Sequence, residues 1–470
     1  MGAERYDAVV VGSGPNGLAA AITLAEAGRC VLVLEGSPKP GGGLRTEELL
    51  EAGFCHDICA TILSLATLTP FLARLDLDLV TPSAPLAHPL DDGTAVVVER
   101  SVAETAAGLG VDGHAYERLL QPLVLRARDL LMQIMGPPRL PAHPLLLARF
   151  GLPGILPATR LGRLAFRGEK ARALLAGAAA HSVLSLTEAG TGAFGLLLLL
   201  SAHAGGWPIA RGGSASVADL LVCRLQTLGG QVRCGHRVSS LDDLPAHRVA
   251  LLDLVPRGIL EVAGHRLPDC YRRRLAAYRH APGAFKLDWI LDGPIPWRAP
   301  ECSRAATVHL GGMMEEIAMS EHEVAQGRHP ERPFVLLTQP TLFDPTRTPG
   351  RGHTACAYCH VPNGSERDMT KAVEDQVERF APGFNDLIRA RSVWTPRRLE
   401  AEEPNCVGGD VNGGRMDLRQ LAARPVPSLN PYATPNPGLF LCSAATPPGG
   451  GVHGMCGLHA ARAALRSRLR

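Results

Sequence analysis

Short apolar runs and glycine-rich turns alternate along the first forty residues of the chain. Residues 6–11 and 31–34 are apolar runs of strand length, and residues 18–28 between them form an alanine-rich stretch of helix length. A strand, a helix and a second strand in this order are typical of a βαβ unit, whose two strands lie parallel in one sheet. The pattern therefore predicts an α/β unit at the start of the chain.

The turn between the first strand and the helix indicates what this unit binds. Gly12 permits a tight turn, Gly14 lets the backbone approach a pyrophosphate, and Gly17 lets helix and strand pack closely. The N-terminus of the helix then offers free N–H groups to the phosphates. Glu35 ends the second strand, where its carboxylate can accept hydrogen bonds from both ribose hydroxyls and disfavours a 2′-phosphate. These features together predict a dinucleotide site.

A second strand–turn–helix pattern closes the chain. Residues 437–442 read as a buried strand, residues 447–454 as a glycine-rich turn, and residues 456–469 as a helix. Such a turn again directs backbone N–H groups at an anion. Two turns of this type in one chain favour a cofactor site over a purely structural role.

Three other segments allow predictions about local structure. Residues 189–210 carry no charge; we expect a buried helix that ends near Gly205 and Gly206, with contact at a membrane surface as the alternative. Residues 285–290 are predicted to form a strand of a second domain. Residues 354–359 alternate as a strand, so the haem-attachment pattern Cys356-Ala357-Tyr358-Cys359-His360 is interpreted as a coincidence.

Composition narrows the class of protein. The chain has 470 residues, enough for two packed domains, and its hydrophobic fraction of 46% is that of a globular protein. A net charge of +3 gives no reason to expect nucleic acid binding. The twelve cysteines are scattered and no secretory signal precedes the first strand, so we expect free thiols in a cytoplasmic protein, with association with a membrane surface as the alternative.

The blocks described above, with residues 53–60 and 207–214 between them, resemble phytoene desaturase-like FAD oxidoreductases. Relatives in this family include carotenoid desaturases, retinol saturase and pyridine nucleotide-disulfide oxidoreductase domain-containing protein 2. The resemblance spans essentially the whole chain. It implies an α/β fold in which a discontinuous Rossmann-type FAD-binding domain joins a mixed sheet-plus-helix substrate domain, as in amine oxidases and phytoene desaturases. It places the FAD domain at residues 1–80, 205–255 and 405–470, and the substrate domain at residues 81–204 and 256–404.

The resemblance also assigns residues to the cofactor. Five features carry these assignments. They are the first glycine turn, the acidic residue expected at the ribose hydroxyls, the Gly-Gly segment that follows it, a backbone contact to the adenine, and the closing glycine turn. The predicted FAD-binding residues are Gly12, Gly14, Pro15, Asn16, Gly17, Glu35, Gly42, Gly43, Arg45, Thr46, Val238, Ala444, Gly450, Gly451, Val452, His453 and Met455. No metal ligand is predicted.

Four side chains are candidates for catalysis. His453 is predicted to be the side chain nearest the flavin ring, and His56 and Asp57 to lie in the segment that crosses towards the substrate domain. Lys286 is a candidate by analogy with a strand lysine of amine oxidases that holds a water near the flavin, although a salt-bridged sheet lysine is an equal alternative.

The expected activity is removal of a hydride from an apolar carbon substrate to form a C=C bond. Saturation and isomerisation are chemically adjacent alternatives. A flavin amine oxidase is a further alternative, and a non-redox binding protein like the Rab GDP-dissociation inhibitors is another. We expect a small apolar substrate, no nucleic acid partner and peripheral membrane contact as an alternative; the sequence leaves the oligomeric state open.

Overall fold

A computed structural model describes residues 5–470, which form strands and helices along the whole of that range. The strands in chain order are β1 Arg5–Val11, β2 Val31–Leu34, β3 Thr46–Glu47, β4 His56–Asp57, β5 Leu79–Val80, β6 Ala84–Pro89, β7 Ala95–Val98, β8 Ile209–Ala210, β9 Gln231–Arg233, β10 Ala246–Leu252, β11 Gly283–Leu291, β12 Ala305–Leu310, β13 Val335–Thr338, β14 His353–Val361, β15 Ile388–Trp394 and β16 Leu439–Leu441. The α-helices are α1 Pro15–Glu26, α2 Val102–Gly108, α3 Gly113–Val124, α4 Ala127–Ile134, α5 Pro144–Gly154, α6 Ala158–Ala165, α7 Glu169–Ala180, α8 Thr191–Gly205, α9 Ala215–Thr227, α10 Pro256–Ala263, α11 Asp269–Ala276, α12 Met314–Ala325, α13 Thr370–Phe380, α14 Pro396–Glu402, α15 Leu418–Ala422 and α16 Met455–Ser467.

A five-stranded parallel sheet joins the two ends of the chain. Its strand order is β16-β10-β1-β2-β9, and each neighbouring pair is parallel. The strands are continuous apolar runs because both faces of the sheet are covered, on one side by α1, α9 and α16. The predicted strands and helices at both ends of the chain are confirmed, and with them the Rossmann-type α/β class.

The protein has a second, seven-stranded β-sheet. Its order is β15-β11-β14-β13-β12-β6-β7, and every neighbouring pair is antiparallel except the parallel pair β12 and β6. The strands predicted at residues 285–290 and 354–359 are β11 and β14, which pair with each other. In that register Lys286 lies opposite Tyr358 and Asp288 opposite Cys356, so these four side chains share one face of the sheet.

Helices α2–α8 build a separate apolar core over this sheet. Their inward side chains form one cluster with residues of β6 and β7. The uncharged segment at residues 189–210 contains α8, which ends at Gly205 with Gly206 in the left-handed conformation, as predicted. Within residues 5–470, no helix combines the length and apolar character needed to span a bilayer.

Helices α10 and α11 pack on the five-stranded sheet rather than on the seven-stranded one. Ile259, Ala263 and Tyr271 share an apolar cluster with β10 and β16. The layer around the parallel sheet thus extends past residue 255, where the sequence reading placed the end of that segment of the FAD domain. The domain boundaries as a whole remain a prediction.

Candidate functional site

A cavity of about 830 Å³ opens at the carboxyl ends of the parallel strands. Its lining includes the residues that directly follow four of these strands: Gly12 after β1, Glu35 after β2, Asp253 after β10 and Ser443 close after β16. Open parallel sheets bind ligands at this edge, because the loops there converge and the helix N-termini point at it. The cavity has the size of a ligand pocket.

The first glycine turn leaves no room for side chains. A Cβ on Gly14 would lie 2.8 Å from Oδ2 of Asp253, and one on Gly17 would lie 2.1 Å from the carbonyl oxygen of Gly12. Gly12 itself has a φ of +98°. The turn therefore requires glycine at each of these positions, and its backbone can approach a ligand closely. Helix α1 begins at Pro15, which needs no N–H partner at that position.

The Glu35 carboxylate is held in place at the tip of β2. Its Oε2 accepts hydrogen bonds from the Ser13 amide at 2.8 Å and the Ser13 hydroxyl at 2.6 Å, and its Oε1 accepts one from the Ser37 amide at 2.8 Å. Glu35 still lines the cavity. An oriented carboxylate at this position can accept further bonds from hydroxyl groups of a ligand.

Asp253 is a site residue that the sequence reasoning missed. Its Oδ2 accepts a hydrogen bond of 2.9 Å from the Gly17 amide, and burial raises the pKa of this carboxyl group to about 7. The side chain of Asn405 donates to the Asp253 carbonyl and accepts from the Val255 amide, which fixes the loop. The available signal was an acid directly after the apolar run of β10, the same arrangement as Glu35 after β2.

The closing glycine turn also contributes to the cavity wall. Gly450, Gly451 and Val452 line the cavity, and a Cβ on Gly450 would lie 2.7 Å from the Asn412 carbonyl oxygen. The glycine-rich segment at residues 408–414 therefore packs directly against this turn. Val411 and Gly413 of that segment also line the cavity.

His453 lies behind the cavity wall rather than on it. Its Nδ1 accepts a hydrogen bond of 3.0 Å from the Met455 amide, and its Nε2 lies 3.1 Å from the Gly449 carbonyl oxygen. Burial lowers the pKa of this imidazole to about 4, so the ring is neutral at pH 7. Both nitrogens are engaged by the backbone of the turn, and the ring fixes the shape of that turn.

Lys286 is the catalytic candidate that lines the cavity. Its Nζ donates to Asp288 Oδ2 at 2.5 Å and to the Asp57 carbonyl oxygen at 3.1 Å. Both side chains of the pair are buried, and the neighbouring Asp288 carboxylate raises the pKa of the ammonium group against the effect of burial. Lys286 is therefore a charged, salt-bridged sheet lysine that also faces the ligand space.

His56 and Asp57 lie beneath the cavity. Asp57 accepts hydrogen bonds from Thr46, from the Ser214 amide and from Arg347 at 2.7 Å, and these partners hold the pKa of its carboxyl group below the usual value. His56 Nδ1 lies 3.6 Å from Asp288 Oδ1. Asp57 thus ties together three distant chain segments at the crossing between the two sheets.

Two thiols meet at the cavity wall. Cys59 follows β4 and Cys406 follows α14; both line the cavity, and their thiols hydrogen bond to each other. This bond lowers the pKa of Cys59, to which the Lys286 charge also contributes, and raises that of Cys406. All twelve cysteines are free thiols, as predicted.

A buried row of rings continues from the cavity along the face of the seven-stranded sheet. Tyr358 lines the cavity and its ring lies 5.8 Å from that of His360. Further along, Nε2 of His309 lies 2.9 Å from Nε2 of His181. Burial and the neighbouring His181 and His88 lower the pKa of His309 well below its usual value, so this ring is neutral.

The structure brings most of the predicted cofactor residues to one cavity. Those that line it are Gly12, Gly14, Pro15, Asn16, Glu35, Gly42, Gly43, Arg45, Val238, Ala444, Gly450, Gly451 and Val452. Four others stand behind the lining: Gly17, Thr46, His453 and Met455. The Gly17 amide donates a hydrogen bond to Asp253, and the Thr46 hydroxyl donates one to Asp57.

The lining fits a flavin dinucleotide. The first glycine turn and the start of α1 offer backbone N–H groups, and Gly42 comes so close that its Cβ would lie 3.1 Å from the Gly14 Cα. Glu35 and Val238 also line the cavity, and the closing turn adds further backbone groups. Glycines without space for a Cβ on both walls are expected where a flat or charged group passes close to the backbone.

Residues 10–75 match the family model described as an NAD(P)-binding Rossmann-like domain. Pyridine nucleotide-disulfide oxidoreductase domain-containing protein 2 of Mus musculus is 27% identical, over 98% of this chain and 94% of the relative. Phytoene dehydrogenase of Streptomyces griseus is 28% identical, over 83% of this chain and 82% of the relative. The chain is a homologue of both proteins. The resemblance stated from its motifs is confirmed, and so is the oxidoreductase class that these relatives share.

Solved structures show the same fold. An oxidoreductase from Methanosarcina mazei aligns with a TM-score of 0.66 at 15% identity, over 98% of this chain and all of that one. Putrescine oxidase bound to putrescine aligns with a TM-score of 0.62 at 16% identity, over 98% of this chain and 99% of that one. The amine oxidase-like architecture expected from the sequence is confirmed.

Proposed function

We propose that the chain is an FAD-dependent dehydrogenase or desaturase that removes a hydride from an apolar carbon substrate and leaves a C=C bond. The observation that carries this proposal is the convergence of two glycine turns, from residues 12–17 and 450–452, on one cavity that Lys286 also lines. Bound flavin would supply the redox chemistry by accepting the hydride, and the proton lost from the neighbouring carbon would pass to a carboxylate of the cavity lining or to water.

The residues around Lys286 support an apolar substrate. Ile58 and Ala284 line the cavity with Lys286, and they share an apolar cluster with Tyr358. Further along the sheet, burial lowers the pKa values of His309 and His181, so both rings are neutral. Such a wall excludes water from the reacting carbon and places one buried positive charge nearby, which would stabilise negative charge on a reduced group.

Each end of the cavity has its own task in this proposal. The N–H groups at the start of α1 would bind the pyrophosphate and Glu35 the ribose hydroxyls, while the closing turn would hold the redox-active ring. Glu35 is hydrogen bonded to Ser13, and Asp57 is hydrogen bonded to Arg347. Because these contacts fix the side chains, they would move little during the reaction.

An amine oxidase activity is the competing proposal, since putrescine oxidase shares the fold. Tyr358 is the aromatic side chain among the lining residues of the described cavity, so the lining does not assemble an aromatic cage. Saturation of an apolar substrate would run the same electron transfer in reverse, and isomerisation would return the electrons to the same substrate, so both would use the same site.

An absorption spectrum of the purified protein, followed by anaerobic addition of substrates, tests the proposal. We expect oxidised flavin bands that bleach with a lipophilic polyene or alicyclic compound and do not bleach with a diamine. Bleaching by the diamine alone would replace the proposal with an amine oxidase. A protein that holds no flavin after FAD is supplied would be a binding protein on an inherited fold.

A further inference from the structure

An apolar and strongly basic surface covers helices α4–α6 and the segment that joins α4 to α5. We call the exposed side chains of residues 125–167 the leucine–arginine surface. Leu140 and Leu145 are 95% and 86% exposed, respectively. The other large apolar side chains exposed here are Leu125, Met132, Leu152, Ile155 and Leu164. In the described residues, most exposed large hydrophobic side chains fall in this one segment.

Helix α5 shows that the exposure is organised. Its inward side chains Leu146 and Phe150 are buried in the helical core, as in any amphipathic helix. Its outward side carries Leu145 and Leu152, which stand two turns apart and project into solvent. A helix that is apolar on both sides is expected to have a second apolar neighbour, and the described residues provide none on the outer side.

The segment before α5 projects from the body of the protein. Every residue from 138 to 145 is exposed, and three of them, Pro138, Pro141 and Pro144, are prolines. Prolines restrict the backbone, so an apolar tip can be presented without a large loss of conformational entropy on binding. Leu140 stands at this tip.

The same surface carries a concentrated positive charge. Its arginines are all exposed: Arg126, Arg128, Arg139, Arg149, Arg160, Arg163 and Arg167. Asp129 is the one acidic residue among residues 125–167, so the segment has a net charge of +6, twice the +3 of the whole chain. Ion pairs occupy Arg126, with Asp129, and Arg163, with Glu315.

We propose that the leucine–arginine surface docks on a membrane that contains anionic lipids. The leucines would enter the boundary between headgroups and acyl chains, and the arginines would pair with lipid phosphates while their alkyl stems lie along the apolar side chains. This docking goes beyond the proposed reaction and does not depend on it. It would hold the helices that cover the seven-stranded sheet against the lipid bilayer, in which apolar molecules dissolve.

Two other occupants fit the surface less well. A symmetric contact with a second copy of the chain would bring one +6 segment against another, and the repulsion opposes association. An RNA would satisfy the arginines through its phosphates, but such binding gains nothing from exposed leucines. Of these three occupants, the anionic membrane is the one that contacts both the leucines and the arginines favourably.

Sedimentation with lipid vesicles tests the proposal on the full-length protein. We expect binding to vesicles of phosphatidylcholine with about one third phosphatidylglycerol, little binding to phosphatidylcholine alone, and weakening as salt is raised. The double variant Leu140→Ser/Leu145→Ser should bind at least about tenfold more weakly, because each leucine loses its transfer into the apolar boundary. Each of Arg139→Ser and Arg149→Ser should lower the affinity about fivefold.

Matched controls lie outside the surface. Leu429 is fully exposed and Arg351 is exposed, so Leu429→Ser and Arg351→Ser remove the same chemical groups elsewhere and should leave vesicle binding unchanged. Because all these side chains face solvent, the melting temperatures of the variants should match that of the parent protein, which separates lost docking from lost folding.

Three results would overturn the proposal. One is equal binding of the parent and the Leu140→Ser/Leu145→Ser variant to anionic vesicles, which would indicate nonspecific adsorption. Another is absence of vesicle binding together with a dimer that the same double variant abolishes. The third is binding to a single-stranded RNA oligonucleotide that exceeds vesicle binding and survives the leucine substitutions.

Discussion

The Gly17 amide donates a hydrogen bond of 2.9 Å to Asp253 Oδ2, which links the first glycine turn to the end of β10. The carboxylate lies where the turn is most crowded, 2.8 Å from the position of a Cβ on Gly14. A buried carboxyl group with a pKa near 7 beside the first glycine turn makes this site sensitive to pH.

Asp253→Asn should stabilise the protein at pH 8 and leave its stability at pH 4 nearly unchanged. The folded-state pKa of about 7 exceeds the usual 3.8, so the native state loses stability as pH rises from about 4 to 7, and asparagine removes that loss. Since one pKa unit corresponds to about 1.4 kcal/mol, the gain in the free energy of unfolding at pH 8 is at most roughly 4 kcal/mol. Urea unfolding at both pH values measures it.

The exposed Asp219 supplies the control for this prediction, since Asp219→Asn makes the same change in charge at the surface. It should alter stability little at either pH. A loss of stability in Asp253→Asn at pH 8 would mean that the charged carboxylate is needed to accept the Gly17 amide bond, contrary to the expectation.

Glu35→Ala should weaken FAD binding about ten- to a hundredfold, because in the proposed function the Glu35 carboxylate accepts two hydrogen bonds from the ribose hydroxyls. Titration of the flavin-free protein with FAD, followed by flavin fluorescence, measures the dissociation constant. Glu47→Ala removes a half-buried carboxylate that pairs with Lys39 and is the matched control. Unchanged FAD affinity in Glu35→Ala would remove Glu35 from the cofactor site.

Lys286→Met should cost about 3 to 5 kcal/mol of unfolding free energy, because Asp288 is left buried without its partner. The double variant Lys286→Met/Asp288→Asn removes both charges and should recover much of that loss in urea unfolding. If Lys286 also acts on the cofactor, flavin reduction by substrate should stay slow in the stable double variant. Full recovery of the reduction rate would leave Lys286 with a structural role alone.

Cys59 should be alkylated by iodoacetamide faster than Cys55. The hydrogen bond from Cys406 and the Lys286 charge lower the pKa of Cys59, whereas burial raises that of Cys55, so only Cys59 carries extra thiolate near neutral pH. Peptide mapping by mass spectrometry at pH 7 measures both rates. The variant Cys406→Ala should slow the reaction of Cys59; faster alkylation of Cys55 would contradict the assignment.

His453→Ala should lower the melting temperature and the FAD content without changing the pH dependence of substrate reduction. The ring accepts from the Met455 amide and contacts the Gly449 carbonyl oxygen, so it positions the closing turn. A pH profile of flavin reduction, measured on the fraction that retains FAD, separates the two roles. A pH-dependent step that disappears in the variant would instead make His453 an acid or base in the reaction.

The glycine turns could be predicted because their information is local. The spacing of Gly12, Gly14 and Gly17 between an apolar strand and an alanine-rich helix specifies the turn and the N-terminus of α1 within about twenty residues. Residues 450–452 belong to a similar glycine-rich turn between a strand and a helix near the C-terminus. The structure places both turns on one cavity, which agrees with the site expected from the motifs.

The roles of His56, Asp57 and His453 could not be settled in this way. Sequence position puts them next to cofactor motifs, yet a shift of one residue along a strand or turn moves a side chain to the other face. Asp57 points into an ion pair with Arg347, 290 residues away, and His453 points into its own turn. Only the packing of distant segments decides which side of a backbone faces the ligand.

The sequence by itself determined the local elements of the dinucleotide site, the α/β class and the family resemblance, since strand, turn and helix preferences act over short distances. The tertiary structure decided the rest. It brought Asp253 to Gly17, Cys406 to Cys59 and Lys286 to the cavity wall, and it left the leucines of residues 125–167 exposed. These relationships join residues far apart in the chain, and burial and pairing across such distances depend on how the layers pack.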